Sequence, residues 1–205
     1  MTARRGIPFV VSAPSGTGKT TVCRAVVSCD PGIVSSVSHT TRAPRSGERD
    51  GVDYHFVPKD RFEALVAQGA FLEHAEYRGH LYGTTWVAVD APLSQGRDVL
   101  LEIDTAGAAQ VRDRLPAARL VFLRPPSFEV LEQRLRDRRT DGEEVIRQRL
   151  AIARDELEQA PRYDYQVVND DLERAIRSVL EIVRAERSGD TAEVRARLNP
   201  ERAVR

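Results

Sequence analysis

Short apolar runs alternate with stretches of helical periodicity along much of the chain. Ile7 to Ser12 (IPFVVS) and Asp98 to Ile103 (DVLLEI) are nearly continuous apolar runs, which is typical of parallel strands buried on both faces. A long segment near the carboxyl end spaces its apolar residues as a helix does, at Leu172, Ala175, Ile176, Val179, Leu180 and Val183. Strands that alternate with helices predict an α/β fold, with helices on both faces of a parallel sheet.

The same two patterns predict the remaining elements of this alternation. Short strands are expected over residues 33–37, 119–123 and 166–168. Helices are expected over about residues 18–28, 105–114 and 125–136, and along an apolar face formed by Ile146, Leu150, Ala153 and Leu157. The tail from Ser188 is weakly patterned, and we expect it to be partly frayed.

Between Ser38 and Trp86 the pattern changes, and the chain becomes polar, aromatic and rich in glycine. One clear helix is predicted here, from Asp60 to Gln68, with Asp60 and Glu63 resembling a capping box. This block therefore predicts a subdomain inserted into the alternating core, and Trp86 is expected to pack where the block rejoins that core.

The charge, the apolar runs and the cysteines of the sequence argue against several classes of function. The 205 residues contain 31 basic and 31 acidic side chains, so the formal net charge is zero, and this argues against a general binder of nucleic acid or anionic membranes. No apolar run approaches the ~18 residues of a membrane span, and the amino-terminal run is too short for a signal peptide. Cys23 and Cys29 lack metal-ligand spacing, so we expect a cytoplasmic protein with free thiols. None of these features predicts an oligomeric state.

A glycine-rich loop joins the first predicted strand to the first predicted helix. It reads Ala13-Pro14-Ser15-Gly16-Thr17-Gly18-Lys19-Thr20, which is the GxxxxGK[ST] phosphate-binding pattern with alanine in place of its first glycine. The glycines allow backbone N–H groups to approach phosphate oxygens, and the helix start adds partial positive charge. Lys19 can reach the β- and γ-phosphates and Thr20 can ligate Mg²⁺, so the loop predicts binding of a nucleoside triphosphate.

A second acidic group is expected to hold the metal through water. Glu102 and Asp104 are the candidates, because they close the predicted strand DVLLEI. Asp104 could instead serve only as the N-cap of the helix that follows it.

The segment from Ser36 to Glu48 (SVSHTTRAPRSGE) has the composition of an anion-binding loop. Arg42 and Arg45 could grip a phosphate from two sides, while hydroxyl groups complete its hydrogen bonds. A solvated polar loop is the alternative on composition alone.

Successive blocks of the chain resemble the guanylate kinase family. The blocks are APSGTGKTT, SVSHTTRAPRSGE, GVDYHF, LEHAEYRGHLYGT, LLEIDTAGAAQV, RLRDRRT and VVND, and they occur in the family's order between about Ile7 and Arg187. The resemblance implies a phosphate-loop NTPase core with an inserted GMP-binding subdomain and a small lid. It places the core at residues 1–37, 87–125 and 160–205, the subdomain at 38–86, and the lid with its flanking helices at 126–159.

The resemblance also implies an activity and a set of site residues. The activity is ATP-dependent phosphorylation of GMP to GDP, with Mg²⁺ held by Thr20. ATP would be bound by residues 13–21 (Ala13, Pro14, Ser15, Gly16, Thr17, Gly18, Lys19, Thr20 and Thr21) and by Asn169, which could equally be a turn residue. The GMP site would comprise Ser38, Arg42, Arg45, Tyr54, Glu73, Tyr82 and Thr84, and we also assign Glu102 and Asp104 to GMP binding.

Within this implied set, Glu73 and Thr84 match the positions that read guanine. A carboxylate accepts from guanine N1–H and the exocyclic amine, whereas adenine offers it no such donors, and an unsatisfied buried polar group is costly. Without the flanking blocks, Glu73 would be interpreted as a surface residue between a helix and a loop.

The lid arginines Arg134, Arg138 and Arg149, with Lys19, match positions that neutralise the transferring phosphoryl group. A solvated helix face is the alternative for any one of them, and Arg139 departs from the family's usual glycine. Two other functions fit part of the pattern. The chain could be a sugar-phosphate kinase on the same fold, or a binding module without activity, although such modules typically lack the loop lysine that is present here.

Overall fold

The main sheet is built from five short apolar strands. The computed structural model describes residues 4–137 and 142–199 of the chain. The strands are β1 (Pro8–Ser12), β2 (Ile33–Ser35), β7 (Asp98–Glu102), β8 (Arg119–Arg124) and β9 (Tyr165–Val168). They lie in the order β2-β7-β1-β8-β9, and every neighbouring pair is parallel. The predicted parallel sheet is therefore confirmed, and β1 with its phosphate loop lies at its centre.

The described residues form eight α-helices, one of which lies in the inserted block, and others among them cover both faces of this sheet. They are α1 (Lys19–Cys29), α2 (Lys59–Ala67), α3 (Trp86–Ser94), α4 (Thr105–Arg114), α5 (Phe128–Asp137), α6 (Glu143–Glu158), α7 (Leu172–Ser188) and α8 (Ala192–Leu198). Phe9 and Val11 pack in a core with α1, α7 and α8, whereas Val10 packs in a second core with α3 and α4. Alternate residues of β1 thus enter different cores, as the pleat of a strand requires.

A second sheet lies within the inserted block. Its strands are β3 (His39–Thr40), β4 (His55–Phe56), β5 (Phe71–Tyr77) and β6 (His80–Thr85). They lie in the order β4-β3-β6-β5, with β3 and β4 parallel and the other pairs antiparallel. Trp86 begins α3 and packs against the second core, as predicted.

Two local predictions were wrong. The Asp60–Glu63 capping box is absent, because α2 begins at Lys59 with Pro58 as its N-cap and no side-chain cap hydrogen bond. The tail as far as Asn199 is also better ordered than predicted, since α8 buries Val194 against the first core and Asn199 Nδ2 donates to the carbonyl of Tyr163 at 2.8 Å, whereas residues 200–205 lie outside the described residues. None of the helices in the described ranges combines the length and the apolar character needed to cross a bilayer.

Candidate functional site

The phosphate loop leaves the carboxyl end of the central strand β1 and turns directly into α1. Gly16 and Gly18 have φ angles of 96° and 94°, in the left-handed region that favours glycine. A Cβ atom at Gly16 would lie 2.9 Å from Leu135 Cδ2, and one at Gly18 would lie 2.9 Å from Asn169 Nδ2. Both the backbone conformation and the close packing beneath the loop therefore require these two glycines.

The reactive side chains of the loop are held by the neighbouring strand β7. Lys19 Nζ donates to the carbonyl of Ile103 at 2.8 Å, and Thr20 Oγ1 lies 2.5 Å from Glu102 Oε1. This pairing follows from the sheet order, because β7 adjoins β1 and Glu102 lies in register with Val11. The ammonium group of Lys19, the hydroxyl of Thr20 and the carboxylate of Glu102 thus lie together at the carboxyl ends of β1 and β7. This is the end of the sheet at which parallel α/β folds bind ligands.

Asp104 is the N-cap of α4, which is the simpler of its two predicted roles. Its Oδ1 accepts from the backbone N–H of Gly107 at 2.7 Å. The carboxylate also lines the cleft beside the loop, so capping does not remove it from the site.

Opposite the loop, the inserted subdomain presents a cluster of cationic and phenolic groups. Arg42 lies against the rings of Tyr54 and Phe56, at 5.6 and 5.8 Å from their centroids, and the Tyr54 and Tyr82 rings are 6.0 Å apart. Burial, followed by the charge of Glu102, raises the pKa of Tyr54 to about 12, so its hydroxyl remains a hydrogen-bond donor at neutral pH. Arg45 and Ser38 line the same cleft.

Arg42 already has an anionic partner in this structure. Its Nη2 donates to both carboxylate oxygens of Glu48 at 2.9 Å, and Glu48 also accepts from the backbone N–H of Arg45 at 2.7 Å. Sequence reasoning did not assign Glu48, although its place six residues after Arg42 in the same loop was the available signal. This charged pair, in which one nitrogen serves both carboxylate oxygens, fixes the guanidinium near the tyrosines.

A buried carboxylate lies deeper in the subdomain. Glu73 on β5 is only 3% exposed and pairs in register with Thr84 on β6, so the interpretation as a surface residue is wrong. Thr84 also hydrogen-bonds Ser38, with 2.8 Å between their hydroxyl oxygens. Burial raises the pKa of Glu73 to about 7, while a hydrogen bond from the Thr84 side chain lowers it. The arrangement can present a carboxylate and hydroxyls to one edge of a planar base.

The predicted lid residues are not all brought to the cleft. Arg149 on α6 lines it. Arg134 on α5 instead donates to the carbonyls of Thr17 and Asn169, at 3.4 and 3.1 Å, and so supports the loop from beneath. Arg138 lies outside the described residues.

Asn169 makes a structural contact that the sequence did not predict. It is 6% exposed, and its Nδ2 donates to the carbonyl of Thr17 at 2.6 Å. Its amide therefore links the end of β9 to the phosphate loop. Contact between Asn169 and a nucleotide stays a prediction.

Two further cleft residues were not assigned from the sequence, although one of them, Tyr77, lies in the block LEHAEYRGHLYGT. Glu156 on α6 is 7% exposed, and its Oε2 has no hydrogen-bond partner among the described residues. Burial raises the pKa of Glu156 to about 7. Tyr77, at the end of β5, lines the same cleft, and burial raises the pKa of its hydroxyl. The subdomain, the loop and α6 therefore all contribute residues to the cleft.

Most of these groups surround one cleft of about 640 Å³. Of the predicted set, the cleft is lined by Ala13, Pro14, Ser15, Gly16, Gly18, Lys19, Thr20, Thr21, Ser38, Arg42, Arg45, Tyr54, Glu73, Tyr82, Glu102, Asp104 and Arg149. Thr17 and Thr84 are fully buried behind the lining residues. The cleft is of the size that small-molecule sites occupy.

Comparison with known proteins gives a consistent result. The guanylate kinase family model matches residues 5–186. A guanylate kinase of Alkalilimnicola ehrlichii is 60% identical over 136 residues, which cover 66% of this chain and 67% of that protein. One from Neisseria meningitidis serogroup A is 55% identical over 138 residues, covering 67% of each chain.

A solved structure supports the same assignment. The crystal structure of guanylate kinase from Anaplasma phagocytophilum superimposes with a TM-score of 0.76 at 34% identity, covering 91% of this chain and 88% of that one. The match extends through both the phosphate-loop core and the inserted block. This chain belongs to the guanylate kinase family.

Proposed function

We propose that this protein transfers the γ-phosphoryl group of ATP to the phosphate of GMP, yielding ADP and GDP. The single observation that carries the proposal is the composition of the cleft. A phosphate loop with its lysine lies on one side, and an arginine–tyrosine cluster with a buried glutamate lies on the other. A site for a nucleoside triphosphate and a site for a base-bearing acceptor thus lie in the same cleft.

On the donor side, the loop amides and the amino end of α1 bind the phosphates of ATP. Lys19 leaves the carbonyl of Ile103 and bridges the β- and γ-phosphates, which a single flexible ammonium group can reach. The lid arginines Arg138 and Arg149 contribute further positive charge as the phosphoryl group transfers, and Arg134 would join them only by leaving the carbonyls of Thr17 and Asn169.

The oxygen groups beside the loop fit Mg²⁺, which prefers hard oxygen ligands. Thr20 and Glu102 already lie together, so Thr20 would hold the ion and Glu102 would support it through water. When bound, Mg²⁺ neutralises charge that develops on the phosphate oxygens.

On the acceptor side, Arg42 and Arg45 bind the phosphate of GMP together with Ser38, Tyr54 and Tyr82. Glu73 accepts from guanine N1–H and the exocyclic amine, and Thr84 donates to O6. AMP would leave Glu73 without donors, and the penalty for an unsatisfied buried acceptor disfavours it.

The residues act by positioning and by charge stabilisation. The GMP phosphate is anionic near neutral pH, so no strong general base is needed. Residues 38–86 act as the GMP-binding subdomain, residues 126–159 as the lid with its flanking helices, and the remainder as the core. Closure of the two smaller parts excludes water and so prevents ATP hydrolysis. Because both cysteines are free thiols, we assign the reaction to the cytoplasm.

The decisive experiment is an ADP-forming assay with ATP and Mg²⁺, to which GMP, AMP or a sugar phosphate is added. We expect ADP to form rapidly with GMP and slowly or not at all with the others. Turnover only with a sugar phosphate would replace the proposed acceptor. Binding of GMP without any turnover would indicate a non-catalytic module.

A further inference from the structure

Gly107 occupies a position where helices rarely favour glycine. It lies in the first turn of α4 (TAGAAQVRDR), next to alanines, which are the best helix formers. Glycine is among the least favourable residues in a helix because it loses the most backbone freedom. Gly107 is absent from the glycines with positive φ, so a left-handed conformation does not explain it.

The explanation is the close approach of a functional side chain. A Cβ atom at Gly107 would lie 2.5 Å from Glu73 Oε2 and 3.2 Å from Glu73 Cδ, whereas its next neighbour, Ile103 Cδ1, lies at an ordinary 3.4 Å. The base-reading carboxylate therefore rests directly against the backbone of α4.

Neither the backbone of α4 nor that of β5 can move easily to relieve this contact. Gln110, one turn further along α4, accepts from the backbone N–H of His74 at 3.2 Å and donates to its carbonyl at 2.8 Å. Arg114 donates to the carbonyls of Phe71 and Leu72 at 3.3 and 3.0 Å. These bonds fasten α4 to β5 on both sides of Glu73, so added volume at Gly107 must displace the carboxylate.

Displacement would change the surroundings of the carboxylate. The first turn of α4 presents the positive end of the helix dipole, but its N-cap Asp104 accepts from the Gly107 N–H and, in addition to burial, its negative charge raises the pKa of Glu73. A methyl group at Gly107 would push the carboxylate outward, into the volume that the base occupies.

We propose that Gly107 is a specificity-determining positioning residue, whose missing side chain sets the depth of Glu73 and hence the geometry with which the purine base is read. The inference rests on the proposed function, since it assumes that Glu73 reads GMP. Gly107 is not among the residues that line the cleft, so it would act on GMP only through Glu73.

The test is Gly107→Ala, with Ala109→Ser as a matched control that adds one heavy atom on the exposed face of the same helix. We expect KM for GMP to rise about 10- to 100-fold, because displacement of a positioning group by about an ångström has effects of this size. KM for ATP should stay within about twofold, and the GMP-over-AMP preference should fall. The control should retain wild-type constants.

A compensating substitution separates this role from a general packing defect. Glu73→Asp shortens the carboxylate by one methylene group, so it should make room for the new methyl group. We expect Glu73→Asp/Gly107→Ala to bind GMP about tenfold or more better than the product of the two single effects predicts. Should Gly107→Ala fail to fold, the double variant should still fold.

Two results would overturn the inference. One is a Gly107→Ala enzyme with the wild-type KM for GMP. The other is a double variant that is no better than multiplicative, or that fails to fold when the single variant does. A wild-type enzyme that forms no GDP would instead refute the proposed function, so the two failures are distinguishable.

Discussion

At the scale of single residues, the cations of the site are held by internal partners before substrate binds. Glu48 holds Arg42 through two hydrogen bonds, and the carbonyl of Ile103 holds Lys19. Each side chain is thereby kept near its working position, which reduces the side-chain entropy that binding must remove. Binding is then an exchange of partners, from an internal oxygen to a phosphate oxygen.

Removing the loop cation should affect transfer much more than acceptor binding. We expect Lys19→Ala to lower kcat about 10²- to 10³-fold, as loss of one charge-stabilising group does, with GMP affinity within a few-fold of wild type. Steady-state kinetics and GMP titration give the two quantities. Lys59→Ala on exposed α2 is the control and should be unaffected. An equal loss of GMP affinity in Lys19→Ala would contradict the division of roles.

The buried Glu73 predicts a pH dependence for GMP use. Its folded-state pKa of about 7 lies above its ordinary value, so acidification through pH 7 neutralises the carboxylate that guanine requires. We expect kcat/KM for GMP to fall about tenfold per pH unit below 7.

Glu73→Gln is the matched variant for this prediction, because it shares the titration of the substrate phosphate but lacks the carboxylate. It should lose most of the extra pH dependence and reduce the GMP-over-AMP preference about tenfold or more. Identical pH profiles for the two enzymes would show that Glu73 does not read the base in its charged form.

The role of a residue was predictable from the sequence where that residue belongs to a short motif with a known chemical function. The loop from Ala13 to Thr20 implies its own geometry, because few other conformations suit its glycines. Glu156 and Gly107 carry no such signal, since their roles depend on what other segments bring beside them. A buried glutamate and an exposed one look alike in a helical sequence, and Glu156 was missed for that reason.

At the scale of elements, the tail helix α8 is a packing element. Val194 joins the first core, Arg195 donates to Glu186 and Tyr165, and Asn199 bonds the Tyr163 carbonyl. Truncation after Gly189 should lower stability by about 2–4 kcal/mol, from lost burial and hydrogen bonds. This corresponds to a fall in Tm of about 5–15 °C.

Thermal unfolding measures this effect, and activity at 25 °C should stay near wild type because α8 lies away from the cleft. Arg195→Ala is the milder companion and should lower Tm by only a few degrees. An unchanged Tm after truncation would mean that the tail contributes nothing to the core.

Elements with strong periodicity were predicted closely, as for α7, which begins at Leu172 as the apolar spacing from Leu172 to Val183 predicted. The strands of the inserted sheet were not, because β3 and β4 contain two residues each and owe their existence to partners elsewhere in the chain. The order of the main strands was not predicted, because it depends on pairing between segments that lie far apart in the chain. The tail was misjudged because one buried valine in seven helical residues leaves almost no periodic pattern.

At the scale of the whole molecule, two buried carboxyl groups make folding and proton binding interdependent. The pKa values of Glu73 and Glu156 are about 7 when folded and 4.5 ordinarily, so the folded state binds more protons between these values. Their stabilising contribution is therefore complete below pH 4.5 and is lost as pH rises through 7.

Urea unfolding of the ligand-free wild type and of Glu73→Gln/Glu156→Gln at pH 5 and pH 8 tests this linkage. The free energy of unfolding of the wild type, relative to the double variant, should fall by about 2–5 kcal/mol between these pH values. All other titrating groups are common to both proteins. Parallel pH profiles would contradict the elevated pKa values.

Because lysine is scarce in this sequence, the lysine of the phosphate loop can be followed by chemical modification. Lys19 and Lys59 are the only lysines in the sequence, one inside the cleft and the other on an exposed helix. An amine-directed acylating reagent therefore has only two side-chain targets, which a single peptide map can distinguish. Modification of Lys59 serves as the internal reference for reagent exposure, and protection of Lys19 by added nucleotide reports occupancy of the phosphate loop directly.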